Sequence, residues 1–408
     1  MTISVSWRFQ SLPEYAFPRL RSLLNGIPPG ADEIVLSIGE PRHAIPEFIT
    51  DILHEHKSEY AKYPPIDGTP ALRQAAADWL GRRYQLPPDL IDPDRHILPV
   101  NGTREGLFMA ALALASQQSH NAPQAAVLIP NPFYQCYAAA ALAINAEPIY
   151  VPATRETGFL PDYAHVAPEI LARTSLVYIC SPTNPQGAVA DMAYWTQLLE
   201  LAHTYDFMII ADECYAEIYD DTPPMGICQA VARENHPSPD ESSLNRIIAF
   251  HSLSKRSNVP GLRSGFAVGG SHIIEQFKRL RSYGGAPTPL PVCAAAAAAW
   301  ADDTHVTNSR TLYRAKFDAA QNILGTHLGF FRPPGGFFLW LDISSTGLTG
   351  EEATVKLWQR GGIKVLPGAY LGRECAGINP GASYLRLALV HDLATTKEAL
   401  SRVNQILG

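Results

Sequence analysis

Four short apolar runs in this chain each stop at a cluster of polar and aromatic residues. Arg246–Phe250 leads into His251-Ser252-Leu253-Ser254-Lys255, and Phe207–Ala211 into Asp212-Glu213-Cys214-Tyr215. Leu176–Cys180 leads into Ser181-Pro182-Thr183-Asn184-Pro185, and Ala126–Pro130 into Asn131-Pro132-Phe133-Tyr134. Continuous apolar runs of this length, bounded by turn residues, predict strands buried on both faces, as in a parallel sheet. Helical patterns fill the spaces between them up to about Gly270, which predicts βαβ units with right-handed crossovers. In an open sheet of this kind ligands sit outside the carboxyl ends of the strands. The four polar clusters are therefore expected to converge on one crevice.

Outside this region the pattern changes. Residues 1–30 show little regular pattern beyond Phe17–Leu24 and read as an arm lying on another part of the protein. Helices are predicted over Glu47–Glu59, from Pro70 to about Tyr84, where Pro70 suits a first helical turn, and over Glu105–Ala115. One long helical stretch is predicted from Pro291 to Leu324. Its alanine run, Ala294–Ala299, has little side-chain bulk and should pack closely on another element. Runs at Gly335–Leu341, Ile363–Leu366 and Tyr384–Val390, with a helix near Glu351–Arg360 and a final helix, predict a smaller α+β unit. The expected organisation is an arm and part of the small domain over residues 1–45, a large domain over 46–290 and the small C-terminal domain over 291–408.

A chain of 408 residues is too long for one compact core and fits two domains. Its net charge of −7 argues against nucleic acid or an anionic membrane as the main partner. No run reaches the roughly 18 apolar residues of a membrane span, and no signal-peptide pattern opens the sequence. Six cysteines without a C-x-x-C pair read as small buried residues in a reducing compartment, so a cytoplasmic location is expected. His54 and His56 lie on different faces of a helix and read as surface residues.

The clusters carry specific chemistry. Lys255 follows a buried strand, where its charge is costly unless removed or used. Condensation with an aldehyde does that. Ser252 and Ser254 offer hydroxyls to a phosphate, and Arg263 could clamp the same group bidentately. The ordinary alternative is a basic loop end. Asp212 ends a buried strand, where a pyridinium nitrogen would be a suitable partner; the alternative is a carboxylate that caps a helix. Tyr215 and Asn184 can reach a ring oxygen. Gly102-Thr103-Arg104 opens a helix with free N–H groups and the positive end of its dipole, a candidate phosphate cradle. Tyr134 and Phe133 could stack on a flat ring or simply pack in the core. Arg386 interrupts the apolar run Tyr384–Val390 and needs an anion, either a substrate carboxylate or a protein Asp or Glu. A lysine amine with a carboxylate facing a ring nitrogen suits pyridoxal 5'-phosphate.

With these residues in view, the chain resembles the class I/II aminotransferases of PLP fold type I over nearly its whole length. SPTNPQG, ADECY, SLSK, GLRSG and YLRLA occur in the family's order. The resemblance implies an α/β fold: a large domain with a mostly parallel sheet flanked by helices, plus a smaller α+β domain. It implies Lys255 as Schiff-base lysine and proton shuttle, Asp212 on the pyridine nitrogen, and Tyr215 and Asn184 on the ring oxygen. Tyr134 would stack on the ring. Gly102, Thr103, Arg104, Ser252, Ser254 and Arg263 would hold the phosphate, joined by Tyr63 from a neighbouring subunit. Arg386 would bind the substrate α-carboxylate, with the backbone at Gly39 and Asn184 nearby. Small amino-acid and keto-acid substrates and a homodimer with shared sites are implied too.

Within the family, YAFPRLRSLLNGIPPGADEIVLSIGEPRHAIPEFI and VLPGAYLGR are most similar to the proteobacterial N-succinyldiaminopimelate aminotransferases, which serve lysine biosynthesis with glutamate as amino donor. Candidates for the distal end of such a substrate are spread over Arg19, Arg42, Arg256 and Lys364. Two other readings remain open at this point: aminotransfer to another amino acid, or β-elimination on the same fold. A ligand-sensing regulator would need an added DNA-binding domain, and only about 30 residues precede Glu33.

Overall fold

The structure, a computed structural model, describes residues 8–115, 123–233 and 244–408. The arm contains the helix Ala16–Leu24 and strand β1 (Ile34–Val35). Ala16, Leu20 and Leu24 share one side of the helix and pack against Trp340, Trp358 and Leu366. The arm thus lies on the C-terminal part of the chain.

The main sheet has seven strands: β2 (Ile97–Val100), β3 (Ala126–Asn131), β4 (Glu147–Pro152), β5 (Thr174–Cys180), β6 (Met208–Asp212), β7 (Ile247–Ser252) and β8 (Gly265–Gly269). Their spatial order is β2-β8-β7-β6-β5-β3-β4. The five strands from β4 to β7 are parallel, and β8 runs antiparallel to both β7 and β2. Side chains alternate between two cores because successive strand residues point to opposite faces. Val177, Ile179 and Ile209 join Trp195, Leu198 and Leu80 on one face. Leu176, Tyr178 and Ile210 join Tyr137 and Leu107 on the other. Both faces are covered, which is why these strands read as unbroken apolar runs.

The last part of the chain holds β9 (Phe338–Asp342), β10 (Ile363–Lys364), β11 (Leu366–Pro367) and β12 (Tyr384–Ala388). The strands β11-β12-β9 form an antiparallel sheet, while β10 pairs in parallel with β1. Leu339, Leu341, Leu385 and Leu387 form a third core with Phe317, Leu357 and Leu400 from three helices.

Several boundaries differ from expectation for identifiable reasons. The stretch expected as one helix is two, Leu290–Ala301 and Thr304–Leu324. The carboxylate of Asp302 accepts from Thr304 N and His305 N and starts the second helix afresh. The helix after Pro46 stops at Glu55, and a 3₁₀ turn, Lys57–Ala61, completes the segment. Ile363–Leu366 splits because its two ends pair with different partners, β1 and β12. The alanine helix packs on Leu290–Ala301's neighbour Pro70–Tyr84, with Ala295, Ala296 and Ala299 wholly buried. No helix among the described residues is long and apolar enough to cross a membrane.

Candidate active site

The carboxyl ends of β3, β5, β6 and β7 open into one cavity of about 400 Å³, closed from above by β12, Phe338 and the arm residues Tyr15 and Phe17. Lys255 reaches it from a single helical turn, Leu253–Arg256, that follows β7 directly. The hydroxyl of Ser252 starts this turn by accepting from Ser254 N at 3.1 Å. The lysine Nζ donates to the Gly39 carbonyl and lies 5.4 Å from the centre of the Phe337 ring. Burial lowers its pKa from 10.5 to about 8. No carboxylate pairs with it among the described residues.

Asp212 ends β6 and is buried. Its Oδ2 accepts from the Tyr137 hydroxyl at 2.7 Å, and Oδ1 accepts from Cys214 N at 3.3 Å. Burial raises its pKa, and these hydrogen bonds oppose the rise. A carboxylate held this way still lacks a cation in contact. Tyr215 is buried edge-on against Phe337 and Phe338, with ring centroids 5.5 and 5.8 Å away. Asn184 donates to its hydroxyl at 3.5 Å.

Arg386 stands in β12 opposite Trp340 of β9, so its side chain is fixed by sheet register. It donates to Asn184 Oδ1 at 3.1 Å and to the Ser37 carbonyl at 2.7 Å, over the ring of Phe338. Its buried Nε has no partner. Burial lowers its pKa to about 10. The alternative of a protein Asp or Glu partner finds no match: among the described residues no acidic side chain pairs with Arg386.

At the other end of the cavity, Gly102 has φ +84° and precedes the helix Thr103–Leu114. A Cβ at this position would collide with the Arg263 guanidinium, so only glycine lets the backbone come this close. Arg263 donates to Pro260 O at 2.8 Å and to Asn101 O at 3.3 Å, and has no acidic partner among the described residues. Thr103, Ser252, Ser254 and Arg263 all line the cavity. The Arg104 side chain turns aside to the Tyr134 hydroxyl. Tyr63 is fully exposed, 101% of its reference area, and touches no part of this cavity.

The sequence clusters therefore converge as expected, with Gly39, Asn184, Tyr134, Asp212, Tyr215, Lys255 and Arg386 on one lining. Sequence reasoning missed Tyr137, Ser37 and Phe338. Tyr137 lies three residues after Tyr134, so it follows the first tyrosine by about one helical turn; that spacing was the available signal. Of the distal-end candidates, Arg256 is buried against Ala299 O and Asp303, Lys364 pairs with Glu33, and Arg42 meets His391. None of these lines the cavity.

The residues fit pyridoxal phosphate: a lysine whose pKa burial lowers, a buried carboxylate with no cation in contact, and a glycine-backed cradle whose guanidinium has no acidic partner among the described residues. Similar proteins agree. An LL-diaminopimelate aminotransferase of Moorella thermoacetica is 30% identical, with 98% of each chain covered. The crystal structure of an aminotransferase from Neisseria meningitidis is 38% identical with a TM-score of 0.91, covering 99% of this chain and all of that one. Aminotransferase AspB from Helicobacter pylori is 33% identical with a TM-score of 0.86, covering 97% of this chain and 99% of that one. The family model for aminotransferase class I and II matches residues 31–403, so the chain belongs to this pyridoxal-phosphate-dependent family, of fold type I, which transfers amino groups between small amino and keto acids.

Proposed function

We propose that the enzyme moves the amino group of glutamate to N-succinyl-2-amino-6-ketopimelate, an acylated relative of diaminopimelate. The cofactor supplies the electrophilic aldehyde and the electron sink. Lys255 is the residue that carries the proton between the substrate α-carbon and the cofactor carbon; a pKa near 8 puts its neutral form within reach at neutral pH. Asp212 would face the ring nitrogen and keep it protonated. Asn184 and Tyr215 would hold the ring oxygen, and Tyr134 would supply a flat face for the ring. Gly102, Thr103, Ser252, Ser254 and Arg263 would hold the phosphate, with Arg104 contributing its backbone N–H, since its side chain turns to the Tyr134 hydroxyl. Arg386 grips the α-carboxylate beside Gly39, so the two ends of the bound substrate are fixed and its reacting C–H bond is oriented.

One observation supports the acylated acceptor over free diaminopimelate, the substrate in the name of the Moorella relative. The cavity lining contains a single carboxylate, Asp212, and that is committed to the cofactor. A free distal ammonium would enter a positively charged crevice without a counter-ion, whereas an acylated nitrogen is neutral. Tyr63, fully exposed in the single chain, reaches the phosphate of a second copy in a C₂ dimer. Sedimentation should accordingly give a dimer; a fully active monomer contradicts the shared site. For the substrate, the amino form of the holoenzyme is mixed with a panel of keto acids. The fastest single turnover is expected with the N-succinyl compound. Faster turnover of the unacylated keto acid would reverse the assignment.

A further inference from the structure

A second cavity of about 160 Å³ adjoins the first. The two share Tyr15, Arg104, Tyr134 and Gln135, so a ligand can extend from one into the other. The side cavity is lined by the arm residues Leu12, Pro13 and Tyr15 and, opposite, by Arg373. Among the described residues its lining includes two guanidiniums and no carboxylate. Arg104 spends its side chain on the neutral Tyr134 hydroxyl. Arg373 donates to its neighbour's carbonyl, Gly372 O, at 2.8 Å and to the neutral Tyr150 hydroxyl, and lies over the Phe133 ring at 5.1 Å. Neither makes an ion pair among the described residues.

Several buried or half-buried arginines in the chain are answered by carboxylates. Arg83 meets Glu217 at 2.9 Å, Arg256 meets Asp303 at 2.6 Å, and Arg281 meets Glu105 at 2.5 Å. The cavities depart from this pattern. Arg104, Lys255, Arg263 and Arg386 face the single acid Asp212 in the main cavity, and Arg373 adds a further cation next door. Two of the unanswered guanidiniums are accounted for by the phosphate and the α-carboxylate. Arg104 and Arg373 are not. A guanidinium that meets only neutral partners in a lined cavity is completed by an anionic ligand, and its planar fork suits a carboxylate.

We propose that this side cavity is a distal-carboxylate subsite in which Arg373 and Arg104 grip the carboxylate ending the long arm of the substrate. The proposal rests on the reading of a diaminopimelate-type substrate. The anion comes either from the far end of the seven-carbon skeleton or from the succinyl group; both present the same chemistry.

The test compares pairs of amino donors in the half-reaction of the full-length holoenzyme. One pair is L-2-aminopimelate and L-2-aminoheptanoate, which differ in the far carboxylate of the skeleton. The other is N-succinyl- and N-acetyl-LL-diaminopimelate, which differ in the acyl carboxylate. The wild type should favour the carboxylate-bearing member of one pair by roughly tenfold or more in kcat/KM. The pair that shows the preference identifies the source of the carboxylate. Arg373→Gln and Arg104→Gln should each shrink that ratio, and Arg373→Lys should retain part of it. Because a ratio within one variant is read, damage to folding or cofactor loading cancels. A wild type that uses both N-acyl donors yet discriminates within neither pair overturns the subsite alone. So does a preference that survives in both Gln variants. A wild type that turns over none of the long donors overturns the substrate reading and the subsite with it.

Discussion

Two buried lysines in this molecule have almost the same electrostatics and different surroundings. Lys255 and Lys316 are both lowered by burial from 10.5 to about 8. Lys316 is enclosed by protein partners: its Nζ meets His43 Nε2 at 2.7 Å and donates to Leu389 O at 3.1 Å, beside the Tyr313 ring. Lys255 has one carbonyl partner and faces a cavity. A depressed pKa therefore does not single out the reactive amine. Access and an unfinished set of partners do.

The same contrast recurs in other residue types. Asp212 and Glu213 are adjacent in sequence and both buried, yet they leave opposite faces of the strand end. Glu213 is completed by the Tyr84 hydroxyl and Ile227 N, each at 2.7 Å, inside the core. Asp212 turns to the cavity. Arg281 is buried and bound to Glu105, while Arg386 is buried and lacks an acid. In each pair the member that faces the cavity is the incomplete one.

The lysine pair gives the largest expected separation. Lys255→Ala should reduce transamination of glutamate by on the order of 10³-fold or more, because both the covalent anchor and the proton carrier are lost. Lys316→Met should leave turnover in place and lower stability by about 1–3 kcal/mol, through the unpaired Leu389 carbonyl and His43 nitrogen. Single-turnover rates and denaturant midpoints measure the two. If the losses exchange places, the reactive lysine is Lys316.

The carboxylates separate by observable. Asp212→Asn should slow the half-reaction by about 10²-fold, typical of removing a preorganised charge. Glu213→Gln should act on stability instead. Burial raises Glu213 from 4.5 to about 7, so the folded state keeps a proton that the unfolded state has released between those values. That contribution is fully present below pH 4.5 and is lost as pH rises through about 7, a decline of about 3 kcal/mol. His251, lowered by burial from 6.5 to about 3, has the opposite sign and lies 3.7 Å from Glu213, so the Glu213 slope is read above about pH 6.5, where His251 is mostly neutral in both states. A Glu213→Gln curve with the wild-type slope would show that this carboxylate is ionised in the fold.

Arg386→Lys should cost roughly 2 kcal/mol or more in kcat/KM for glutamate and for its keto-acid partner alike, since both present the same carboxylate. Cofactor affinity should hold. Loss of cofactor with intact amino-acid affinity would move Arg386 out of the substrate site.

These pairs also show how far the sequence could be read. The strand ends were legible because β3, β5, β6 and β7 are buried on both faces, so polar residues stand out where the apolar run stops. Motif order supplied the roles. What was not legible is completion of charge across the fold. Lys316 lies in a long helix and looks like a surface lysine; Arg256 was offered as a substrate ligand and is bound instead by Asp303 and two carbonyls. The helix break at Asp302 is not legible in the sequence because its cause is a side chain that accepts from the amides of Thr304 and His305, not a glycine or proline. The contribution of Tyr15 and Phe17 to the cavity depends on the arm folding back from far along the chain, which periodicity does not encode.

The smallest expected effect sharpens the carboxylate comparison. In the proposed role Asp212 differs from Glu213 in having to stay ionised while buried, and the Tyr137 hydroxyl at 2.7 Å favours this together with Cys214 and Lys255. The Tyr137 ring is held independently, stacked on Tyr178 with centroids 4.5 Å apart and planes 12° apart. Tyr137→Phe should therefore remove the donor and leave the packing. Without that hydrogen bond the neutral form of Asp212 gains, and its pKa rises further. The carboxylate is the working form, so the acid limb of the kcat/KM profile should move to higher pH. At a pH well above the limb the rate should fall by a factor corresponding to about 1 kcal/mol, one hydrogen bond's worth. A uniform loss at every pH, with no movement of the limb, would mean that Tyr137 only packs against Asp212 and does not hold its charge.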